Sequence, residues 1–225
     1  MLIKRKTVKE DELTRLITRI TTFYYHNPKR FLLIVGIVIV IIGVAVFQIQ
    51  SAKKSIPELD LGFTQALGYY TTGKLSQAEQ QFFYLARKYR SKRLGIKSWY
   101  YLGNIYFQTR RFNEAKKAFE LFYKKWDKSS ILAPASLMGI ANSLEEMGNL
   151  QQAIRYYKEV YEKYKESPWA PLSLLGAGRC YKTLGDLYKA EEVYKKIVKE
   201  YSENNFALTQ AKAELAAIKT IREEF

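Results

Sequence analysis

A short sequence pattern recurs four times at a nearly constant interval. An alanine is followed four residues later by an aromatic residue, and successive alanines are 37, 38 and 37 residues apart. The four pairs are Ala78 with Phe82, Ala115 with Phe119, Ala153 with Tyr157, and Ala190 with Tyr194. A fixed interval of this length is typical of a repeat array, in which each unit buries its apolar faces only by stacking on its neighbours. We therefore expect stacked helical units.

Within each unit, the spacing of apolar residues predicts two helices joined by a tight turn. Five residues before each alanine stands Gly73, Arg110, Gly148 or Gly185. Glycine adopts a positive φ at low cost and can end the first helix, after which Asn149 or Asp186 can cap the second. Small residues in the first helices should let the paired helices approach closely; they are Gly103, Ala141 and Gly178.

The stretch from Trp99 to Tyr106, followed by Ala115 and Phe119, resembles the tetratricopeptide repeat, whose pattern is W-x2-L-G-x2-Y and then A-x3-F. The matching residues in the second unit are Trp99, Leu102, Gly103, Tyr106, Ala115 and Phe119. Those in the third are Leu137, Ala141, Leu144, Gly148, Ala153 and Tyr157. Those in the fourth are Leu174, Gly178, Tyr181, Gly185, Ala190 and Tyr194. The first unit matches through Ala66, Tyr69, Gly73, Ala78 and Phe82.

This resemblance implies an all-α tetratricopeptide repeat α-solenoid of about four helix-turn-helix repeats over residues 59–205. Residues 206–225 then form a further helix without a partner, which we expect to cap the last repeat, the alternative being an extra helix that binds a partner. Its apolar side is expected to consist of Leu208, Ala211, Leu215, Ile218 and Phe225.

Residues 31–50 are predicted to form one transmembrane helix. No residue from Phe31 to Phe47 is charged or strongly polar. At ~1.5 Å per residue this run covers roughly 26 Å, which approaches the ~30 Å hydrocarbon core of a bilayer. A buried core helix would have a polar face, and a cleaved signal peptide would be shorter and nearer the start. The pattern therefore favours an uncleaved signal anchor.

Flanking charge predicts the orientation of this helix. Residues 1–30 carry eight Lys/Arg and three Asp/Glu, whereas only Lys53 and Lys54 follow closely after the helix. The positive-inside rule then places the N-terminus in the cytoplasm and the repeat domain outside it, tethered to a cytoplasmic (inner) membrane by a single pass and a linker of residues 51–58. The repeat domain is then periplasmic.

The basic N-terminal segment, residues 1–30, is itself amphipathic. Its apolar face is expected to hold Leu13, Leu16, Ile17, Ile20 and Phe23 or Tyr24, and Asn27-Pro28 should end the helix. Such a segment either lies on the cytoplasmic leaflet, docks a membrane partner, or only carries the charge that sets topology.

The family resemblance implies that the second, fifth, ninth and twelfth positions of each repeat line a concave groove. These positions hold Phe63, Leu67, Tyr70, Lys97, Tyr100, Asn104, Phe107, Met138, Asn142, Glu145, Leu172, Leu175, Arg179 and Lys182. The first half of the groove is aromatic and its far end is basic, so we expect an extended or helical peptide with apolar anchors and an acidic group. The alternative is that several of these residues only pack between repeats.

Other classes of function have weaker support. One Cys and one His exclude an internal disulfide and disfavour a metal site, and no nucleophile, base and orienting group stand together, so we expect no enzyme, cofactor or metal. The formal net charge is +15, but after residue 50 the lysines alternate with glutamates, as on solvated helices. Binding of nucleic acid is not expected, and a basic surface for nucleic acid or anionic lipid is a distant alternative.

The layout as a whole resembles the ancillary subunits of the bacterial Sec translocon. Its long repeats also resemble envelope proteins of the Tol-Pal coordinator and outer-membrane assembly types. These resemblances imply a membrane-tethered scaffold whose partners are proteins or peptides, such as translocon subunits, chaperones or other envelope proteins. Coordination of cell division, outer-membrane assembly or a secretion or pilus apparatus is the alternative, and the oligomeric state stays open.

Overall fold

The computed structural model describes the backbone of residues 3–53 and 56–223, and the side chains of residues 14, 15, 17–46 and 56–223. The described backbone is entirely helical apart from turns, which confirms the all-α class. Its helices are α1 (Ile3–His26), α2 (Pro28–Lys53), α3 (Pro57–Thr71), α4 (Leu75–Lys88), α5 (Arg93–Gln108), α6 (Phe112–Lys125), α7 (Leu132–Glu146), α8 (Leu150–Lys163), α9 (Trp169–Thr183), α10 (Leu187–Glu200) and α11 (Asn205–Glu223). They fall into two compact units, of which the first holds α1 and α2 and the second holds the remaining helices.

In the first unit, the break between α1 and α2 lies at Asn27-Pro28, as expected. Proline has no N–H to donate and is tolerated at the first position of a helix, while the Asn27 carbonyl accepts the bond from Phe31 N at 2.9 Å. Across the break, the Phe31 ring lies 5.3 Å from that of Tyr24. The described part of the expected amphipathic face, Ile17, Ile20, Phe23 and Tyr24, is exposed. Leu13 and Leu16 lie outside the described side chains.

Helix α2 is long and apolar enough to cross a membrane. The segment Pro28–Val46 has a mean hydropathy of 2.6, and none of it is buried in the structure. The predicted linker, residues 51–58, is shorter in the structure, because α2 includes Lys53 and α3 begins at Pro57. Residues 54 and 55 between them, and therefore Lys54 of the expected flank, lie outside the described residues.

The second unit consists of four antiparallel helix pairs followed by a single helix. The pairs are α3 with α4, α5 with α6, α7 with α8, and α9 with α10, and α11 packs on α10 and α9. This arrangement confirms the expected solenoid with its final helix. Ala207, Ala211 and Ile218 of α11 are buried against the last pair, whereas Leu208 and Leu215 are half-buried. Phe225 lies outside the described residues.

Each pair is joined by the same turn. Gly73, Gly148 and Gly185 have φ of 74°, 75° and 78°, as expected for glycine at the end of a helix, and Arg110 adopts the same conformation with φ of 58°. In the third turn the N–H of Gly148 donates to Glu145 O at 2.9 Å and that of Asn149 donates to Leu144 O at 2.8 Å. These two bonds define a Schellman motif, which satisfies carbonyls that the helix end leaves free.

Of the two side-chain caps predicted for the second helices, one is formed and one is not. Asp186 accepts a bond from Lys189 N at 3.0 Å and therefore caps α10, but the Asn149 side chain makes no capping bond at α8. The physical difference is charge. The Asp186 carboxylate is also held by the Lys189 ammonium at 2.5 Å, whereas the neutral amide of Asn149 has Gln152 at the corresponding position. Burial of the repeated alanines is uniform: Ala78, Ala115, Ala153 and Ala190 are fully buried.

In the second, third and fourth repeats, the aromatic residue fills a space between helices that glycines leave open. A Cβ on Gly103 would lie 2.7 Å from the Phe119 ring, and one on Gly139 would lie 2.5 Å from the other side of the same ring. Gly178 makes the same room for Tyr194 within its repeat, as expected, and Gly176 makes room for Tyr157 of the preceding repeat. Gly139 and Gly176 were not expected to have this role. They show that the aromatic ring sets the spacing between repeats as well as within one.

Candidate functional site: the inner face of the repeats

The first helices of the repeats form the inner layer of the second unit. Among the described helices, α3 packs against α5, α5 against α7, α7 against α9 and α9 against α11. The backbones of the second helices of successive repeats lie farther apart, and α8 and α10 meet through long side chains, as where Tyr161 Oη donates to Glu200 at 2.7 Å. Helices that touch lie on the inside of a bend, so the inner face belongs to α3, α5, α7, α9 and α11. We call it the concave face.

The aromatic residues at the first end of the concave face largely pack on each other. Phe63 is buried, with its ring 5.5 Å from that of Phe82 and 5.7 Å from that of Tyr101. Tyr100 is half-buried, 5.4 Å from Phe122 and 5.9 Å from Phe119. Phe63 therefore packs on the neighbouring repeat, as the alternative interpretation expected, whereas the ring contacts of Tyr100 with Phe119 and Phe122 lie within its own repeat.

The polar groups in this half are also engaged. Asn104 Nδ2 donates to the carbonyl of Tyr100 at 3.0 Å, and Gln108 Nε2 donates to Tyr70 Oη at 2.8 Å. The Lys97 ammonium lies over the Phe63 ring at 5.7 Å. Two further predicted residues, Leu67 and Phe107, are half-buried.

A hydrogen-bond network crosses the middle of the concave face. Tyr157 Oη donates to Asn142 Oδ1 at 2.6 Å and also to the Glu145 carboxylate. Arg179 donates to the same carboxylate through Nε at 3.1 Å and Nη2 at 2.9 Å. Burial, together with the Glu145 charge, holds the pKa of Tyr157 well above its usual range, so the hydroxyl stays a donor.

The expected basic end of the groove is compensated by carboxylates. Arg179 pairs with Glu145 across one repeat, and Lys182 pairs with Glu214 of α11 at 2.5 Å. Sequence analysis placed Arg179 and Lys182 on the correct face of the repeats. It did not predict that acidic residues of neighbouring helices form ion pairs with them. Among the described residues, the Arg179 and Lys182 cations at this end are therefore paired, and binding of an acidic group here stays a prediction.

Beside this network lies a cavity of about 320 Å³ between α7, α9 and α11. Five of the predicted groove residues line it, namely Met138, Asn142, Leu172, Leu175 and Arg179. Five residues that were not predicted line it as well, namely Trp169, Tyr194, Phe206, Gln210 and Glu214. Met138 and Leu175 are nearly buried in its wall, whereas Phe206 is 63% exposed at its edge.

The residues from α11 were missed because the groove positions were assigned only within the four repeats, and this helix was expected mainly to cap them. The repeat interval contains the missing signal, since Phe206 follows Trp169 by 37 residues and Ala207 follows Ala170 by the same number. Helix α11 thus occupies the place of a first helix in a fifth, incomplete repeat, and so it adds side chains to the concave face.

Two buried donors beside the cavity have no acceptor within the part of the chain that the structure describes. They are Tyr194 Oη and Trp169 Nε1. Tyr194 is fully buried, and burial is the main reason that its pKa lies well above its usual range. An unmet buried donor costs about 1–3 kcal/mol. The wall of the cavity therefore offers apolar surface and N–H or O–H groups that lack a carbonyl partner.

Sequence comparison supports this assignment of the repeats. One family model of the tetratricopeptide repeat matches residues 132–199, and a second matches residues 96–124. Residues 96–124 and 132–199 therefore have the sequence pattern of tetratricopeptide repeats. The matched residues cover the second, third and fourth repeats, and the first repeat, whose sequence pattern is the weakest, lies outside both matches. A comparison with curated proteins gave no match.

Solved structures share the fold of the repeats. The apo form of RapI has a TM-score of 0.64 at 16% identity over 75% of this chain and 65% of that one. A tetratricopeptide repeat protein from Parabacteroides merdae has a TM-score of 0.62 at 20% identity over 74% and 62%. The MamA protein has a TM-score of 0.60 at 16% identity over 75% and 87%. At identities of 16–20%, this similarity shows a shared fold.

The groups that carry catalytic or metal chemistry are scattered on this fold. Among the described residues, no three His, Cys, Asp or Glu side chains stand together as metal ligands. Cys180 is fully buried on α9, as expected, and burial raises the pKa of its thiol to about 12. His26 lies at the end of α1 in the other unit. The concave face with its cavity is therefore the arrangement that we take as the candidate site.

Proposed function

We propose that the chain is a membrane-anchored scaffold whose tetratricopeptide repeats bind an extended segment of a partner protein on the concave face. The observation that carries this proposal is the cavity between α7, α9 and α11, which combines apolar walls with two donors that lack acceptors. A peptide has the two groups that such a wall requires, an apolar side chain and main-chain carbonyls.

The cavity suits one anchoring side chain. Its volume of about 320 Å³ lies at the lower end of the range for small-molecule sites, and its apolar residues Met138, Leu172 and Leu175 surround that space. A carbonyl of the bound segment would accept from Tyr194 or Trp169 only after a movement of side chains exposes the donor, because both atoms are buried in the unbound repeats. The Arg179–Glu145 and Lys182–Glu214 pairs at the rim present both signs of charge, which favours a segment with mixed polar residues over a purely acidic one. The remaining predicted groove residues stay a prediction.

The anchor in this proposal is α2, because its residues 31–47 are apolar around the whole circumference and none of Pro28–Val46 is buried. The positive-inside rule supports a cytoplasmic N-terminus and a periplasmic repeat domain at the inner membrane. The resemblance to ancillary Sec subunits favours translocon components, chaperones or exported chains as partners. Coordination of cell division, outer-membrane assembly or a secretion or pilus apparatus is the alternative.

Site-specific photocrosslinking in native membranes tests the peptide site. A benzophenone side chain replaces Phe206, which is 63% exposed at the cavity, or Tyr188, which is 74% exposed at the start of α10 and does not line it. We expect adducts from position 206 that Leu172→Glu abolishes in a folded chain, and few from position 188. Equal adducts from both positions, or adducts that survive Leu172→Glu, would rule out the cavity as the site.

The identity of the adducts distinguishes the two envelope processes, and a separate extraction tests the anchoring. Translocon subunits or exported chains among the adducts support the first process, and division or outer-membrane proteins alone support the second. Resistance of the chain to carbonate extraction tests α2 as an anchor independently of the cavity. Release of the chain by carbonate would refute the anchoring and leave the concave site standing.

A further inference from the structure

The repeats differ sharply in charge. Residues 56–131, which form the first two repeats, hold 14 Lys/Arg and 6 Asp/Glu, whereas residues 132–223 hold 13 and 12. The excess positive charge of the second unit therefore belongs almost entirely to its first half. An asymmetry of this size within one repeated fold points to a surface with a partner of opposite charge.

The excess is concentrated where one repeat passes into the next. Residues 87–93, between α4 and α5, hold five Lys/Arg and no acid, and residues 124–128, at the end of α6, hold three lysines and Asp127. Lys125 Nζ lies 3.5 Å from the carbonyl of Arg90, so the two segments are neighbours. We call this surface the basic edge; it consists of Arg87, Lys88, Arg90, Lys92, Arg93, Lys124, Lys125 and Lys128.

Most of the basic edge lacks carboxylate partners. Among the described residues, only Lys88 of the eight forms an ion pair, with Glu58 at 2.7 Å, and the Asp127 carboxylate accepts bonds from Ser129. All eight side chains are exposed. The corresponding segments of the later repeats, residues 162–168 and 199–205, hold as many acids as bases or more, and Lys163 and Lys165 are ion-paired there.

The chain enters the repeats at the basic edge. Glu58, in the first turn of α3, accepts bonds from Lys88 Nζ at 2.7 Å and Tyr89 Oη at 2.7 Å, at the end of α4. The amino end of α3 therefore lies beside the α4–α5 segment. Pro57 follows Lys53, the end of α2, by four residues, and four residues reach at most ~14 Å.

We propose that the basic edge docks on the anionic lipid headgroups of the membrane in which α2 is anchored. This proposal rests on the proposed anchoring, because a span within α2 connects the bilayer to the start of α3, beside the basic edge, through a short stretch of chain. Exposed Phe83 and Tyr84 on α4 adjoin the edge, and aromatic residues of this kind favour the headgroup region. Docking through one edge fixes the orientation of the solenoid and leaves its concave face open to partners.

Headgroup quenching in reconstituted full-length protein tests the docking. Cys180 is fully buried, so an environment-sensitive dye can be attached to Ser91→Cys in the basic edge or to Ser202→Cys between α10 and α11, both exposed positions. The vesicles contain a headgroup-quencher lipid in phosphatidylcholine, with or without phosphatidylglycerol. We expect stronger quenching at position 91 when phosphatidylglycerol is present, reversed by added salt, and little change at position 202.

Variants with matched changes in charge test which cations dock the repeats on anionic lipid. Arg90→Gln, Lys92→Gln and Lys124→Gln together remove three exposed cations that have no ion pair or ring contact among the described residues. Each cation near an anionic surface contributes about 1 kcal/mol, so the docking equilibrium should weaken by roughly fivefold per cation. Lys74→Gln, Lys117→Gln and Lys199→Gln together change the net charge equally away from the edge and should leave the quenching unchanged.

Three results would overturn the docking. The first is equal quenching at position 91 in both lipid mixtures, and the second is an equal effect of the two triple variants. The third is loss of binding to a labelled oligonucleotide in the edge variant alone, with quenching unaffected by lipid charge, which would make the edge a nucleic-acid surface. Carbonate extraction of the same samples tests the anchoring, and adducts at position 206 test the peptide site. A failure of either proposal can therefore be distinguished from a failure of the docking at the basic edge.

Discussion

At the scale of single residues, the turn between α5 and α6 departs from its three counterparts. Arg110 has φ of 58° where the other turns have glycine. The left-handed conformation costs a residue with a Cβ about 1–2 kcal/mol relative to its usual backbone. The Schellman bonds of the turn persist all the same, with Arg110 N donating to Phe107 O at 3.0 Å and Arg111 N to Tyr106 O at 2.8 Å. Packing of the helix pair therefore imposes the turn on an unsuitable residue.

We predict that Arg110→Gly stabilises the repeats by about 0.5–1 kcal/mol. The gain is smaller than the full backbone cost because glycine is more flexible in the unfolded chain, and because the contact of Arg110 with the Phe112 ring is lost. Urea unfolding followed by circular dichroism measures the change. The reverse substitution Gly148→Arg should lower the midpoint, and a lower midpoint for Arg110→Gly would contradict the assignment of strain.

At the scale of helices, the repeats are spaced by aromatic rings that meet glycines. Tyr157 of α8 is fully buried, and its ring occupies the position that a Cβ on Gly176 of α9 would need. Protein interiors are close-packed, so a buried ring held by a bond to Asn142 has little room to move. The glycine is therefore a requirement of the contact between the third and fourth repeats.

We predict that Gly176→Ala destabilises the repeats by about 1–3 kcal/mol, although alanine is the better helix former. Gly68→Ala is the matched control, because Gly68 is also helical and a Cβ there would meet nothing within 4 Å. The control should be neutral or stabilise by up to about 1 kcal/mol. Similar urea midpoints for the two variants would refute the steric account.

At the scale of the whole second unit, stability depends on neighbouring repeats and on the final helix. Each pair contacts only the pairs beside it, and α11 covers α9 and α10 through Ala207, Ala211 and Ile218. In such an array, the removal of a contact lowers stability most in the repeats next to it. Helix α11 has a second role, because the same packing holds Phe206 and Glu214 at the cavity.

We predict that Ile218→Ala costs about 2–5 kcal/mol and that the loss is concentrated at the C-terminal end. Hydrogen exchange should quicken in α9, α10 and α11 and stay nearly unchanged in α3 and α4, because these helices do not share contacts with α11. Ile131→Ala, at a residue 62% exposed, is the control and should change stability by less than about 0.5 kcal/mol. Uniformly faster exchange in all helices would show that the unit unfolds as one block.

The local structure of this protein follows from short-range features of its sequence. Periodic alanines and aromatic residues, glycines at the turns and an apolar run at α2 are short-range signals, so helix pairs, turns and the candidate span followed from them. Asn27-Pro28 located the helix break for the same reason. The caps were only half predictable, since the bond made by Asp186 depends on Lys189 nearby, whereas Asn149 lacks such a neighbour.

Contacts between side chains of different repeats depend instead on how the helices stack in three dimensions. Arg179 and Lys182 stand on the predicted face, but their neutralisation depends on Glu145 and Glu214, which are more than 30 residues away in the chain. The cavity likewise needs α11 as an inner helix, and the basic edge needs the α4–α5 segment beside the end of α6 and the start of α3. Periodicity fixes the face of a helix on which a residue lies. Which neighbour compensates its charge or closes a cavity over it depends on how successive helices stack, because that stacking alone brings residues a full repeat apart within contact distance.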